Sequence, residues 1–499
     1  MNKRLAVLSQ AVIMSEHQGV ELFEKKIFRS LIFLMANGKT VWYTVRVMTE
    51  KEKNKLIFEQ MPVRKALANM ALPVIVSQLI ILVYNMADVY FLGRTNDPLK
   101  IAGASLILPI FNLSIAFANV AGTGGGTLIS RLLGVEREDE ARRVSGFSVL
   151  FSCVSSACFA LLTAIFMKPL LYFLGASGDT FDYARDYATC VIVIGGVPTV
   201  LSMTLGNLIR NSGYSKQAGL GVSMGGILNI ILDPLFMFVL LPKGNETLGA
   251  GIATALSNFV ICLYFIIFIA RMDSEILSFS MKNGLPEKQS IRSFFSVGIP
   301  AALGPLLFDI DYMVIDKLAA SYSDTALAAI GIVLKVERFP LNIGVGLCLG
   351  MVPIAAYNFS AGNYGRVSDT VKCTRRTGII IGIVSIILYE IFADYIIRFF
   401  ISDAATIEIG SKFLRIRAMA TVLMFMSFIY VHFFQSVGEG KTALFLIVLR
   451  WAVFNIPMLF ILNRLIGMYG IVWAQVVSDA FVSAISFLVY YRFKKKMSI

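Results

Sequence analysis

ALANMALPVIVSQLIILVYNMADVYFL, residues 66–92, is an apolar run with one charged side chain, Asp88. A helix needs about 20 such residues to cross the bilayer hydrocarbon. Read outward from this run, eleven more follow: 101–125, 144–167, 184–208, 218–241, 249–270, 293–318, 326–356, 376–399, 411–436, 443–463 and 468–491. The eighth is the least clean, because Lys335, Glu337 and Arg338 interrupt it. A closed barrel is the other spanning solution, but its strands alternate over about ten residues. These runs are long and continuous, so helices are predicted. Composition agrees. The chain is 57% hydrophobic and 15% charged, against roughly 45–50% and about 25% in soluble domains. Soluble enzymes, disordered chains and disulfide scaffolds are excluded.

The formal charge of +13 suggests nucleic acid until it is located. Arg131, Arg137, Arg142 and Arg143 flank the connection between spans two and three. Arg210 and Lys216 follow span four, and Arg271, Lys282, Lys288 and Arg292 lie between six and seven. Arg366, Lys372, Arg375 and Arg376 follow span eight, and Arg492, Lys494, Lys495 and Lys496 close the chain. The alternate connections are poorer in basic residues. Every second loop and both termini are therefore expected on the cytoplasmic side of an inner or plasma membrane. Within residues 1–47 the apolar stretch Phe28–Ala36 is too short to span, and the charges before it argue against a signal peptide. The working protein is expected to start at Met48.

The chain repeats itself. Gly103, Gly122 and Gly134 recur as Gly331, Gly350 and Gly362, each 228 positions later. Pro73 recurs as Pro300, Gly213 and Lys216 as Gly438 and Lys441, and Gly251 as Gly470. The ordered series implies a six-helix unit present twice. Six spans return the chain to its starting side, so the repeat is parallel, with its axis along the membrane normal. The predicted fold is an all-α polytopic membrane protein of twelve helices in two six-helix lobes. An extension covers 1–65, the lobes 66–272 and 292–493, a cytoplasmic linker 273–291 and a basic tail 494–499. Two lobes flanking a cavity are the architecture of alternating access. A transporter is expected, not an enzyme.

Ionisable side chains inside spans are costly and mark function by default. Asp88 lies near the end of the first span, with Asn85 and Gln78 spaced to share its face. Asn229 and Asp233 in the fifth are four apart and stack on one face. Pro234 loosens the helix beside them, and Thr254 in the sixth adds a hydroxyl. Burial disfavours an ionised carboxylate, so such a set takes up a proton. Two carboxylates with amide and hydroxyl oxygens also suit Na⁺. The bland alternatives are Asp88 facing headgroups at a helix end, and Asn229 with Asp233 as a structural clamp. The repeat weighs against the clamp, because Asn229 and Asp233 map to Phe454 and Met458. The second lobe has Asp309, Asp311 and Asp316 in the seventh span and Lys335, Glu337 and Arg338 in the eighth. Pairing among these is the bland reading, and a second cation or substrate site the sharper one.

The six cysteines read as packing residues, and no His/Cys cluster has metal-ligand spacing. Gly440-Lys441-Thr442 lacks the glycine four residues earlier that a phosphate-binding loop needs. No cofactor is expected beyond the coupling ion, H⁺ or Na⁺.

Over residues 60–493 the chain resembles the MATE (multidrug and toxic-compound extrusion) transporters. The resemblance rests on MPVRKALANMALPVIVSQLIILVYNMADVYFLG, GTGGGTLISRLLGVEREDEARR, IRNSGYSKQA, NIILDPLF, AAIGIVLKVERFP and PIAAYNFSAGNYGR, in that order. Asn211 and Tyr214 depart from the family's common residues. The resemblance implies export of cationic or lipophilic small molecules against H⁺ or Na⁺, by a monomer. It implies a first-lobe cation site of Asp88, Asn229, Asp233 and Thr254, with Asn207. The alternative is a flippase for lipid-linked oligosaccharides or polysaccharides, which needs arginines in several spans to neutralise a pyrophosphate. In this sequence the clearest in-span basic residues, Lys335 and Arg338, are read as confined to one helix.

Overall fold

The structure is a computed structural model that describes residues 29–36, 39–46, 49–272, 274, 276–282 and 284–497. Met48, linker positions 273, 275 and 283, and the last two residues of the tail lie outside the described residues. Residues 1–53 and 54–499 are separate compact units. In the first, β1 (Arg29–Ala36) pairs antiparallel with β2 (Lys39–Arg46), Arg29 opposite Arg46 and Ala36 opposite Lys39. The apolar stretch judged too short to span is thus, from Arg29, one strand of a hairpin, and the all-helical expectation holds for the second unit.

In that unit ten described helices are long and apolar enough to cross a bilayer, or twelve when each of two bent pairs is one span. They are α1 (Val63–Gly93), α2 (Pro98–Gly134), α3 (Glu138–Ile165), α4 (Gly178–Ile194 with Gly196–Asn211), α5 (Ser215–Leu240) and α6 (Glu246–Met272). The second six are α7 (Lys288–Ala320), α8 (Asp324–Ser360), α9 (Tyr364–Phe400), α10 (Ala404–Ala418 with Thr421–Ser436), α11 (Gly440–Ile466) and α12 (Met468–Lys496). α4 bends by 50° and α10 by 46°. α5 widens to a π-helix over Leu235–Leu240, directly after Pro234. Proline supplies no N–H to the ladder, and a wider turn absorbs the break. Lys335, Glu337 and Arg338 do not interrupt α8, because burial of Glu337 is matched by a partner described below.

The halves meet at the end that carries the basic loops, and they meet reciprocally: α2 packs on α7, and α8 on α1. Small residues make the approach close. A Cβ on Gly298 would lie 2.5 Å from the Val120 carbonyl oxygen, and one on Gly350 2.5 Å from the Ala71 Cα. Gly298 and Ala71 are repeat mates, so the same seam is built twice. Polar ties reinforce it. Arg131 Nη2 donates to Ser293 Oγ at 2.9 Å, and Arg137 pairs with Glu287, whose backbone N–H donates to Glu140 at 2.9 Å. A turn at Leu56–Gln60 straps both halves. Lys55 pairs with Glu136 at 2.7 Å, Glu59 accepts from the Tyr357 hydroxyl at 2.8 Å, and the Phe58 carbonyl accepts from Asn358 and Arg366.

Overpacking a fitted interface costs about 1–3 kcal/mol, enough to reverse a two-state balance of similar size. Gly298→Leu is therefore expected to open the basic end. Spin labels at the exposed repeat mates Lys216 and Lys441, in a background lacking the native cysteines, should move apart. An unchanged distance distribution in Gly298→Leu would show that this seam does not set the closed state.

Candidate functional site

The first half encloses a polar cluster built from four spans. Asp233 and Asn229 are one turn apart on α5 and both are buried, with relative exposures of 0% and 3%. Asn229 Nδ2 lies 3.4 Å from Asp233 Oδ1 and 3.5 Å from Thr254 Oγ1 on α6, so the amide joins the two helices. Asp88, from α1, comes within hydrogen-bonding reach of the Asp233 carboxyl. Tyr84, one turn before Asp88, lies in the field of both carboxylates and packs against Gly226 of α5. Tyr187 of α4 reaches the Thr254 hydroxyl and shares the same field.

Three oxygens in this cluster are buried without a hydrogen-bond partner: Asp88 Oδ1, Asn229 Oδ1 and Asp233 Oδ2. Unpaired buried acceptors are expensive, and two carboxylates in contact repel unless something positive sits with them. Among the described residues no Lys or Arg forms an ion pair with Asp88 or Asp233. The described residues therefore leave the pair unbalanced. A proton between the carboxyls balances it, and so does a small hard cation held by carboxylate, amide and hydroxyl oxygens.

The second half has its own buried charges, and two of its three buried acids are paired with arginines, while Asp311 Oδ2 has no hydrogen-bond partner. Arg417 of α10 clasps Glu337 of α8 with both arms, at 2.6 and 3.1 Å. Arg450 of α11 pairs with Asp479 of α12 at 3.0 Å, and Gln475 donates to the same carboxylate at 2.7 Å. The Arg450 guanidinium also stacks on Phe428 and Trp451, 4.4 and 4.5 Å from their ring centroids. Asp311 of α7, fully buried, accepts from Asn455 at 2.6 Å.

A family model described as MatE matches residues 73–235 and again 300–461, more than half of the chain. The chain belongs to the MATE family. It is similar to the multidrug export protein MepA of Staphylococcus aureus (strain N315), 30% identical over 449 residues that cover 90% of this chain and 98% of that protein. MepA of Staphylococcus haemolyticus (strain JCSC1435) is similar at the same identity and coverage, over 450 residues. Among solved structures, an outward-facing conformation of a multidrug resistance MATE family transporter of the MOP superfamily superposes with a TM-score of 0.84. That match is 20% identical and covers 90% of this chain and 99% of the other, which establishes a shared fold.

In this MATE chain the sequence-predicted residues divide clearly. Asp88, Asn229, Asp233 and Thr254 come together. Asn85 does not join them: it is exposed and has no hydrogen bond with them among the described residues. Gln78 is half-buried two turns earlier in α1 and makes no contact with the carboxylates. Asn207 donates to the Met203 carbonyl at 3.0 Å and packs against Gly122, a contact between α4 and α2.

In the second half the predicted pairing of the α7 acids with Lys335 or Arg338 gives way to other partners. Asp309 accepts from Asn112 of α2 at 2.6 Å, with Arg338 contributing field only. Arg338 stands over the rings of Phe308 and Tyr312, and Asp316 and Lys335 are exposed. The reading that in-span basic residues are confined to one helix also needs correction. Arg417 and Arg450 are buried in α10 and α11 with side-chain exposures of 1% and 3%. Both are committed to carboxylates, so they do not supply the free positive surface that a pyrophosphate needs.

Sequence reasoning missed Tyr84 and Tyr187. Tyr84 had a signal, its i, i+4 spacing from Asp88. Tyr187 had none, because only the bend of α4 brings it to α6.

Proposed function

We propose that this MATE chain is a secondary antiporter that exports cationic or lipophilic small molecules in exchange for H⁺ or Na⁺. One observation carries the reading: two carboxylates within reach of each other inside the first half, with no cation paired to them among the described residues. Their charge favours a proton or Na⁺ in one state and a cationic substrate in another, and competition between the two couples their movements. The names of the similar proteins, which are export proteins, support the direction. The second half, whose Glu337 and Asp479 are each held by an arginine, acts as the rigid partner against which the first half rocks. The basic end is the cytoplasmic end, as its loops require. The working unit is a monomer in the plasma membrane.

The experiment is uptake of a fluorescent lipophilic cation into everted vesicles, with a pH or Na⁺ gradient imposed separately. Accumulation driven by one gradient and dissipated when that gradient is collapsed is the expected result, and the effective gradient names the coupling ion. Accumulation that ignores both gradients would overturn the antiport reading.

A further inference from the structure

Between α9 and α12, at the basic end, a cavity of about 400 Å³ opens. Its lining includes Lys372 and Arg375 from α9 and Tyr490, Tyr491, Lys494 and Lys495 from α12. Nothing in the transport site uses these residues. Four cations face one another here, and among the described residues one carboxylate pairs with them, Asp369, 3.2 Å from Lys372. Two of the others are held by neutral groups. Lys494 donates to Ser368 Oγ at 3.0 Å, and Arg375 reaches the Tyr430 hydroxyl. The side chains are thus aimed into one cleft with most of their charge unanswered, which marks an anion site.

The walls continue into the apolar part of the spans. On α9 Ile380, Ile383 and Ile387 follow Lys372 on one face, with exposures of 62%, 47% and 52%. On α12 Leu488 and Phe481 follow Tyr491 and Lys495 in the same way, also exposed. Cations at the mouth, Tyr at the next level and bare aliphatic walls beyond reproduce the order of phosphate, glycerol and acyl chain in a phospholipid. A small anion from water has no use for the apolar walls.

We propose that this cleft binds the phosphate headgroup of an anionic diacyl phospholipid, whose acyl chains lie along the exposed faces of α9 and α12. The lipid bridges the two spans on the outer side of the second half, where direct packing is thin. Its chemistry, a phosphodiester, is shared with free phosphate and glycerol phosphate, and the acyl chains are what separate the sources.

The test uses the full chain in phosphatidylcholine nanodiscs. The thermal midpoint is followed as phosphatidylglycerol replaces part of the phosphatidylcholine. A saturable rise is expected for the wild type. In Lys372→Gln/Arg375→Gln/Lys494→Gln the half-saturating mole fraction should rise about tenfold or more, since each basic residue near a headgroup contributes of order one kcal/mol. A comparison variant, Arg271→Gln/Lys282→Gln/Lys441→Gln, removes equal charge from the same end and should keep the wild-type curve. Lys494→Gln and Lys495→Gln singly, read by native mass spectrometry of retained lipid, give the same answer if the triple variant does not fold. The proposal is overturned by a triple variant that responds like the wild type, or by a comparison variant that loses the response equally. An equal rise with inorganic phosphate or glycerol phosphate would also overturn it, because the site would then be for a free anion.

Discussion

Asp233→Asn and Asp88→Asn are each expected to abolish gradient-driven export while the protein still inserts and folds. One pH unit supplies about 1.4 kcal/mol per proton, so one-for-one exchange sustains roughly a tenfold substrate gradient. Exchange of two protons for a monovalent substrate moves net charge and adds about 2.3 kcal/mol per 100 mV. A variant that cannot release and rebind its cation sustains no gradient at all, so the ratio falls from about tenfold to one. Stability should move the other way or not at all. In Asp233→Asn the introduced amide donates to the facing Asp88 carboxylate, whose Oδ1 has no partner in the wild type. The substitution mimics a permanently protonated carboxyl and removes a repulsion. Efflux and thermal midpoint, measured on the same preparation, separate this from misfolding. Either Asn variant retaining gradient-driven export would remove that carboxylate from the coupling step.

The sequence exposes this site through periodicity and chemistry together. Asn229 and Asp233 share a face because they are four apart, and Asp88 stands out because a charge within an apolar run has few reasons to exist. Periodicity says which residues share a face but not where that face looks, so Asn85 is as good a candidate as Tyr84 until α5 is placed. The packing separates them: Tyr84 lies against Gly226 beside the carboxylates, and Asn85 is exposed. The second half shows the same limit more strongly. Glu337 and Arg417 are 80 positions apart, and no local pattern joins them. Arg417 lies in the first segment of the bent α10, among Glu408, Lys412 and Arg415, and reads as part of a charged helix end. Only the packing of α10 against α8 makes it interior. The twelve spans, by contrast, are legible throughout, because length and apolarity are local properties.

Arg417→Met is expected to give the opposite signature to Asp233→Asn, a loss of stability. It leaves Glu337 buried beside no cation, and breaking a buried pair from one side costs about 3–5 kcal/mol. The extracted protein should therefore aggregate or lose many degrees in thermal midpoint. Glu337→Leu/Arg417→Met removes both charges and should recover most of the loss, since a buried pair exchanged for apolar packing is often neutral. The double-mutant cycle reads the coupling energy directly. Arg450→Met and Asp479→Leu form a second cycle on α11 and α12, electrostatically linked to the first. The contrast between halves follows from one frame used twice. Tyr84 and Asp311 stand 227 positions apart, the offset that also relates Pro73 to Pro300, and both face the interior of their own half. In the first half that interior holds two carboxylates and, among the described residues, no cation paired with them, which is the basis of the proposed exchange with solvent. In the second, arginines pair with Glu337 and Asp479 and leave Asp311 to the amide of Asn455, so less of its charge is unanswered. If Arg417→Met proved stable yet inactive, the second half would be carrying the coupling ion, and the asymmetry of charge would have to be explained by substrate binding instead.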